Sequence, residues 1–386
     1  MKIAILFDGA SALARSPDLL ILGTVEAIER VLVAEGNNVV RIPVFLDGRW
    51  IERVRRGKFD LAFNVCEGID GVATYEPPVI GVLELFGVPY TGSSSYTTAL
   101  CLRKHVVNSV LDRAGLPIPA WTTVRRGGAL TSVGFPSICK PAAEDASLGV
   151  EQRSVVRTMR ALTTRVDAML DRWDEVLVQR YVDGREINVG VLGDTVLPIA
   201  EIDFGAMPRG KWRIVTYQSK WLVGSEEDVG AAPRCPADLP PKLAAEVRRI
   251  ALSAWKLVGG HGYGRVDMRI DANGKPWILE VNANPDIAPD AGLARMAGVA
   301  GIEYPALIRA LCELGLDRNR EKISIEEGWA LAQRLSGVAG DELQPAPALD
   351  LFSAGHEDGG SSTGRAARFA RAARSGEPSQ QAVGDH

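Results

Sequence analysis

The stretch Tyr263–Asn284 has the sequence YGRVDMRIDANGKPWILEVNAN and decides the fold of the second half of the chain. Two runs in which apolar and polar residues alternate flank the pair Asn273-Gly274. Such a pair between alternating runs is a strong signal for a β-hairpin with a two-residue turn. One face of this hairpin is apolar and is expected to pack on the core. It contains three predicted cross-strand pairs, Val266 with Val281, Met268 with Leu279 and Ile270 with Trp277.

The opposite face of the hairpin is polar and places two carboxylates beside each other. Asp267 faces Glu280, and Arg265 faces Asn282. Two facing carboxylates destabilise a strand pair unless a positive charge lies between them. A divalent cation would remove this repulsion, and ligand sets made only of oxygen atoms suit Mg²⁺ better than zinc. The alternative is a solvated strand face that carries two unrelated acids.

Upstream of the hairpin, strand-like and helix-like segments alternate. The apolar run 2–7 ends at Asp8-Gly9, a helical pattern follows over 24–36, and further strand-like runs come after it. Alternation of this kind predicts a parallel sheet with helices on its faces. Strands dominate after Glu186, so we expect an α/β fold whose C-terminal part is α+β.

Turn-rich stretches and shifts in composition divide the chain into five parts. Glycine, proline, serine, alanine and glutamine dominate after Gly340, and such a segment lacks the apolar residues needed to order itself. We predict an N-terminal α/β domain (1–95), a central subdomain (96–185), a C-terminal subdomain (186–320), a helical extension (321–340) and a disordered tail (341–386).

The composition excludes several classes of protein. The 386 residues include 44 lysines and arginines and 48 acids, a balance without the electrostatic footprint of nucleic-acid binding. No apolar run approaches the roughly 18 residues that a membrane span needs, and the N-terminal run is too short for a signal peptide. Five cysteines without CxxC spacing indicate neither a disulfide framework nor a zinc cluster. We therefore expect a cytoplasmic protein without nucleic-acid or membrane partners.

Three lysines, one loop and one cysteine are weaker signals. Lys140 ends an apolar strand, whereas Lys104 and Lys220 would each be surface lysines without further context. The small-residue loop 144–150 can bring backbone N–H groups close to phosphates, although it is not a GxxxxGK[ST] loop. Cys66 has the chemistry of a nucleophile, but no histidine lies near it in sequence, which favours a buried position.

Taken in chain order, these segments resemble the ATP-grasp superfamily, and most closely its D-alanine–D-alanine ligase branch. The similarity extends from Met1 to about Leu314. The matching segments are Val88–Ser93, which closes the first domain; Lys104; Ile138–Pro141, the strand with a nucleotide-binding lysine; Val176–Glu186, the hinge strand and the ribose glutamate; Tyr217–Trp221, with a second phosphate lysine; and the hairpin segments Gly264–Asp267 and Leu279–Asn282.

The resemblance implies an ATP-grasp fold of three units, with ATP held between the central and the C-terminal ones. The residues implied to bind ATP are Lys104, Lys140, Ser147, Gln179, Val182, Glu186 and Lys220. Asp267, Glu280 and Asn282 match the ligands of Mg²⁺, with two ions expected, while Arg265 and Lys220 match catalytic cations.

The activity that the resemblance implies is ATP-dependent ligation of a carboxylate to an amine. Phosphoryl transfer from ATP to the carboxylate gives an acyl phosphate, and attack by the amine then forms an amide, ADP and phosphate. Fixed cations suit this chemistry because they stabilise the charge that develops on the transferring group. The implied partners are a small-molecule carboxylate and amine, and a homodimer is left open.

The residues that contact the amino acids in this family are replaced here. Gly9–Pro17 contains no acid where the family has a glutamate, the serine position falls on Ala146, and the tyrosine position falls on Trp221. Asp286 and Asp290 lie where the family holds the carboxylate of its second substrate. We therefore expect a bulkier or N-blocked carboxylate and an amine other than D-alanine. The alternatives are a D-alanine–D-alanine ligase proper and a nucleotide-binding regulatory protein without turnover.

Overall fold

The structure is a computed structural model that describes residues 1–10, 20–144 and 147–318. The chain divides into two units, Met1–Lys322 and Ile323–His386, and every described residue belongs to the first. The predicted extension 321–340 and tail 341–386 lie outside the described residues, as do Ala146 and most of Gly9–Pro17. The five-part division of the chain stays a prediction.

The first sheet is parallel and follows the predicted alternation of strands and helices. Its strands run in the order β2-β1-β3, and every residue of β1 after Lys2 is buried. Burial of both faces is typical of a parallel sheet whose faces are covered by helices. The elements are β1 (Lys2–Asp8), α1 (Leu20–Ala34), β2 (Asn38–Val44), α2 (Arg49–Gly57), β3 (Leu61–Asn64) and α3 (Glu76–Leu85).

Two short helices connect the first sheet to the second, where the sequence predicts one helix over 97–114. The chain leaves the helical conformation at Arg103, between α4 (Ser95–Leu102) and α5 (Lys104–Arg113). The backbone N–H of Lys104 donates to the carbonyl of Ala142 at 3.0 Å instead of continuing a helix. The break therefore fixes the start of α5 against the end of a strand in the second sheet.

The second sheet is antiparallel, with the strand order β4-β7-β5-β6. One helix covers one of its faces through Leu162, Val166 and Met169, which are buried against the strands. The elements are β4 (Trp121–Arg125), β5 (Ser137–Pro141), β6 (Val155–Val156), α6 (Met159–Leu170) and β7 (Glu175–Arg180).

The third sheet contains the predicted hairpin and has the order β11-β10-β8-β12-β13, with β9 paired to β8. A long helix, α9, buries Val247, Ile250 and Trp255 against the apolar face of the hairpin. The elements are β8 (Gly184–Leu192), β9 (Thr195–Val196), β10 (Ala200–Asp203), α7 (Tyr217–Trp221), α8 (Glu226–Val229), β11 (Ala232–Arg234), α9 (Pro241–Leu257), β12 (Tyr263–Asp271), β13 (Pro276–Asn282), α10 (Gly292–Val299) and α11 (Tyr304–Asp317).

The hairpin register agrees with the prediction at the open end of the hairpin and differs from it next to the turn. The pairs Val266 with Val281, Asp267 with Glu280 and Arg265 with Asn282 are present. A β-bulge follows Asp267, so that the predicted pairs Met268–Leu279 and Ile270–Trp277 are wrong; the structure pairs Met268 with Ile278 and Ile270 with Pro276.

The cause of the difference is an extra residue in the second strand together with a longer connection. Residues 272–275 connect the strands, so the turn has four residues rather than two. Leu279 is the unpaired residue of the bulge, and it lies on the same side of the sheet as Glu280. Two consecutive side chains of β13 therefore face away from the core.

The mixed α/β architecture with three sheets confirms the predicted fold class. Among the described residues, no helix is both long and apolar enough to cross a membrane.

Candidate active site

A cleft of about 500 Å³ lies between the second and third sheets. Every side chain that the sequence analysis assigns to ATP, metal or catalysis lines it. These residues are Lys104, Lys140, Ser147, Gln179, Val182, Glu186, Lys220, Arg265, Asp267, Glu280 and Asn282. The structure therefore brings together residues that are separated by almost 180 positions in the chain, while their individual roles stay predictions.

Asp267 is the first of the two facing carboxylates, and it is held by neighbours on two strands. Arg265 forms a bidentate ion pair with it, at 2.6 and 2.8 Å, and Asn188 of β8 donates its amide to the same carboxylate at 2.7 Å. Burial opposes the charge of the Arg265 guanidinium, but the ion pair with Asp267 outweighs it and raises the pKa of Arg265. Arg265 is therefore a permanent cation on the floor of the cleft.

Glu280 is the second carboxylate, and it is surrounded by cations. Lys104 Nζ lies 3.8 Å from its Oε2. Burial alone would raise the pKa of Glu280, but the charges of Lys104, Lys140, Arg265 and Lys220 lower it to about 2. Glu280 is therefore ionised at neutral pH, and the positive charge near it is available to phosphate oxygens as well.

Lys140 and Lys104 lie side by side beneath the loop that follows β5. Burial lowers the pKa of Lys140, and the nearby charge of Lys104 lowers it further, while Glu280 opposes both effects. Lys104 is 6% exposed, and its ammonium also donates to the backbone carbonyl of Glu144. The two lysines are thus fixed at strand and helix ends rather than being loose surface residues.

Gln179 lines the cleft near the C-terminal end of β7. It is fully buried, and neither its amide nitrogen nor its amide oxygen has a hydrogen-bond partner among the described residues. A buried amide without partners costs free energy unless a ligand supplies them. Because the amide offers both a donor and an acceptor, its chemistry fits the edge of a purine base, as the resemblance implies.

The loop that follows β5 contains Ser147, which has a left-handed backbone with φ of 59°. Its carbonyl accepts from the N–H of Val150 at 3.0 Å, which closes a tight turn. A Cβ at Gly149 would lie 2.6 Å from the ring of Trp173, so only glycine fits at the end of the turn. The turn therefore presents its backbone to the cleft, as a phosphate-contacting loop requires.

Arg269 is a residue of the cleft that the sequence analysis missed. It is 2% exposed, lines the cleft and pairs with Glu186 at 2.8 Å. Its guanidinium also donates to the carbonyl of Val182 at 2.8 Å and to the hydroxyl of Tyr181 at 3.0 Å. The signal that could have found it is alternation, because it shares a strand face with Arg265 and Asp267.

Lys220 enters the cleft from α7, a short helix with a strong N-terminal cap. The hydroxyl of Thr216 accepts from the N–H of Ser219 at 3.2 Å, and the hydroxyl of Ser219 donates back to the carbonyl of Thr216 at 2.9 Å. Thr216 also donates to the buried carboxylate of Glu227, which Lys211 contacts at 3.1 Å. These contacts give a five-residue helix a fixed position.

The remaining wall of the cleft begins where β13 ends, and it lacks one of the two acids expected there. Asp290 lines the cleft, but Asp286 does not; the carboxylate of Asp286 accepts from the N–H of Ala288 at 2.8 Å. Arg295 of α10 also lines the cleft and donates to the carbonyl of Asp290 at 2.8 Å. This wall therefore contains side chains of both signs of charge.

A magnesium site fits the donors on the polar face of the hairpin. Asp267, Glu280 and Asn282 offer only oxygen atoms and line the same cleft, which is the ligand chemistry that Mg²⁺ prefers. Elsewhere in the described ranges, as here, no group of three or more histidine, cysteine or acidic side chains is placed to hold a metal. Two carboxylates and one amide leave coordination positions for water and phosphate oxygens.

Comparison with known proteins gives the family. The family described as "D-ala D-ala ligase C-terminus" matches residues 110–313. The D-alanine–D-alanine ligase of Dechloromonas aromatica is 30% identical over 320 residues, which cover 81% of this chain and 97% of the relative. A protein of Sinorhizobium fredii named "Uncharacterized protein y4sG" is 32% identical over 259 residues, which cover 66% of this chain and 74% of the relative.

A solved structure shows the same fold. The D-alanine–D-alanine ligase from Bacillus anthracis complexed with ATP aligns with a TM-score of 0.68 at 23% identity, and the alignment covers 83% of this chain and 99% of that one. The ATP-grasp fold implied by the resemblance is thus confirmed. Together with the sequence matches, the fold and the cleft show that the chain belongs to the D-alanine–D-alanine ligase-like family of ATP-grasp proteins.

Proposed function

We propose that the protein uses ATP to join a carboxylate to an amine other than D-alanine in this cleft. It is an ATP-dependent ligase that forms C–N bonds. The observation that carries the proposal is the convergence of Lys104, Lys140, Lys220 and Arg265 on one carboxylate, Glu280, in a cleft that is also lined by Gln179, whose buried amide has no partner among the described residues. Such an arrangement supports binding of a molecule with a base at one end and phosphates at the other.

Nucleotide binding would use both ends of the cleft. Gln179 would bind the edge of the base, and Glu186, already oriented by Arg269 at 2.8 Å, would accept hydrogen bonds from the ribose. Lys104 and Lys140 would hold phosphate oxygens from below, since both ammonium groups lie near Glu280. Mg²⁺ at Asp267, Glu280 and Asn282 would neutralise phosphate charge when bound.

The reaction then proceeds in two nucleophilic displacement steps. The carboxylate oxygen attacks the terminal phosphorus of ATP, the bond to the ADP oxygen breaks, and an acyl phosphate forms. The amine nitrogen attacks the acyl carbon, the C–O bond to phosphate breaks, and the nitrogen loses a proton as the amide forms. Arg265 is a fixed cation at the centre of the cleft, where it can stabilise both the transferring phosphoryl group and the oxyanion.

The substrates are proposed to differ from two D-alanine molecules because the family's amino-acid contacts are replaced. Trp221 provides an indole N–H and a large apolar face instead of a phenol. The wall at Asp290 and Arg295 contains both signs of charge, so the amine substrate can itself carry a carboxylate opposite Arg295.

Two finer statements belong to the same proposal. The need for ATP supports a cytoplasmic location. A homodimer stays a prediction.

A release assay for ADP tests the proposal. The purified chain is incubated with ATP, Mg²⁺ and pairs drawn from a panel of amino acids, N-acylated amino acids and dipeptides, and each product is identified by mass spectrometry. We expect ADP and an amide product in equal amounts for at least one pair, and little turnover with D-alanine alone. Robust turnover with D-alanine alone would restore the usual activity of the family. Nucleotide binding without release of ADP by any pair would favour a regulatory protein instead.

A further inference from the structure

The segment 212–216, here called the lid base, directly precedes α7, the helix that contains Lys220. Gln152 holds it through a double contact with the backbone of Trp212: the N–H donates to Oε1 at 2.6 Å, and the carbonyl accepts from Nε2 at 3.2 Å. The indole of Trp212 lies edge-on to the ring of Tyr181, with centroids 5.1 Å apart, and Arg157 stacks on it at 4.5 Å.

The lid base has a second attachment, to the third sheet. The carbonyl of Arg213 accepts hydrogen bonds from the Arg269 guanidinium and from the hydroxyl of Tyr181. Arg269 uses its other N–H groups to contact the carbonyl of Val182 and the carboxylate of Glu186, each at 2.8 Å. One buried guanidinium therefore joins the lid base to the end of the cleft proposed to hold the nucleotide.

From these contacts we propose that Arg269 is a positioning residue that couples nucleotide binding at Val182 and Glu186 to the placement of Lys220 through the lid base. The inference rests on the proposed function, because it takes the cleft to be a nucleotide site. A guanidinium is planar and rigid, so a ligand that fixes Glu186 also fixes the direction of the N–H that holds Arg213. Chains of packed and hydrogen-bonded groups of this kind carry coupling between sites.

A neighbouring ion pair provides a matched control. Arg185, one residue before Glu186 on β8, forms a bidentate pair with Glu201 at 2.7 and 2.5 Å. Arg185 is not among the residues that line the cleft, and it contacts neither Val182 nor the lid base in the described contacts. Loss of Arg185 removes an arginine–glutamate pair from the same sheet without touching the proposed coupling.

The test compares wild type, Arg269→Met, Arg269→Lys, Gln152→Ala and Arg185→Met in the full chain. Affinity for ADP with Mg²⁺ is measured by titration calorimetry, and hydrogen exchange of the lid base and α7 is measured with and without ADP. In the wild type we expect ADP to slow exchange in these segments. In Arg269→Met we expect affinity for ADP to fall roughly fivefold or more, and the ADP-dependent slowing to disappear. Arg269→Lys keeps the charge but not the planar fork. We therefore expect this variant to be more stable than Arg269→Met, but ADP should still not slow hydrogen exchange in the lid base and α7.

Gln152→Ala keeps the test decisive if Arg269→Met fails to fold. Gln152 does not line the cleft, and its side chain contacts the backbone of Trp212, so a weaker affinity for ADP together with a changed exchange of the lid base indicates coupling through that segment. Arg185→Met should behave as the wild type in both measurements. The inference is overturned if Arg269→Lys and Gln152→Ala show the wild-type response of the lid base to ADP. Failure of the wild type to bind ADP would instead overturn the proposed function itself.

Discussion

Asp267 and Glu280 are cross-strand neighbours in the hairpin, and each carboxylate has a different nearest cation. Arg265 contacts Asp267 through two hydrogen bonds, whereas Glu280 lies among lysines, with Lys104 nearest at 3.8 Å. Two carboxylates that would repel each other across a strand pair are thereby held close together. The arrangement holds two carboxylates in place before any metal ion arrives.

The first prediction concerns this pair. Asp267→Asn or Glu280→Gln should lower the rate of ADP release by more than about 100-fold, since even the supporting residues of metal ligands are worth roughly 10–100-fold. Both changes keep the size of the side chain, so thermal denaturation should show a folded protein. Asp194→Asn, which removes an exposed acid paired with Lys256 at 3.2 Å, is the control and should release ADP at the wild-type rate. Wild-type turnover in either acid variant would show that the metal assignment is wrong.

Replacement of Gln179 is predicted to stabilise the nucleotide-free protein and to weaken its binding of ATP. Gln179→Leu removes a buried amide without partners, so the chain without nucleotide should gain stability, by about 1 kcal/mol. The same change removes the donor and the acceptor proposed for the base, so affinity for ATP should fall about tenfold. Thermal denaturation with and without ATP measures both effects. A loss of stability with unchanged affinity would mean that the amide has a structural partner and no role in binding.

Arg295 is predicted to act on the amine substrate and not on ATP. Arg295→Ala should raise KM for the amine, if that substrate carries a carboxylate, by roughly tenfold, the value of one charged hydrogen bond. KM for ATP should change little, because Arg295 belongs to the wall near Asp290 and not to the lysine cluster. Arg309→Ala, an exposed arginine of α11 paired with Glu35, is the control. An equal rise in KM for ATP would contradict the placement of the substrates.

Cys66 is predicted to be chemically inert in the folded protein. Burial raises the pKa of its thiol far above the usual value, and its Sγ donates to the carbonyl of Gly68 at 2.9 Å. The thiolate is the reactive form, so a thiol reagent at neutral pH should leave Cys66 unmodified until the protein is denatured. Cys66→Ala should keep its ligase activity. Inactivation that tracks modification of Cys66 in the native state would revive the nucleophile hypothesis.

The polar face of the hairpin could be predicted from the sequence because alternation is a local signal. The pairing of Asp267 with Glu280 follows from counting residues outward along two strands, and it is correct. The bulge at Leu279 could not be predicted in the same way, because it depends on how the start of β13 packs against other elements. Arg269 was missed for a different reason: its partners Val182, Glu186 and Arg213 lie 56 to 87 positions away in the chain.

Contacts between distant segments were likewise beyond the sequence analysis. The amide of Asn284 donates to the buried carboxylate of Glu76 at 2.8 Å, across 208 positions. Nothing in the pattern around Glu76 distinguishes it from an ordinary acid in the first turn of a helix. The fold class and the set of residues that line the cleft were predictable, because they rest on periodicity and on a resemblance that extends over most of the chain. The partners of each charge were not.

The bulge in β13 has a consequence for anyone who wishes to redesign this enzyme. Before the bulge the core side chains occupy the even positions Pro276 and Ile278, and after it the core side chain is the odd position Val281. If regular alternation is assumed, the cleft-facing neighbour of Glu280 on this strand would be Ile278, two residues before it. Ile278 is buried, so a change there would damage the core. Leu279 is the position at which a library of side chains can alter the shape of the cleft while the hydrophobic packing of the hairpin stays intact.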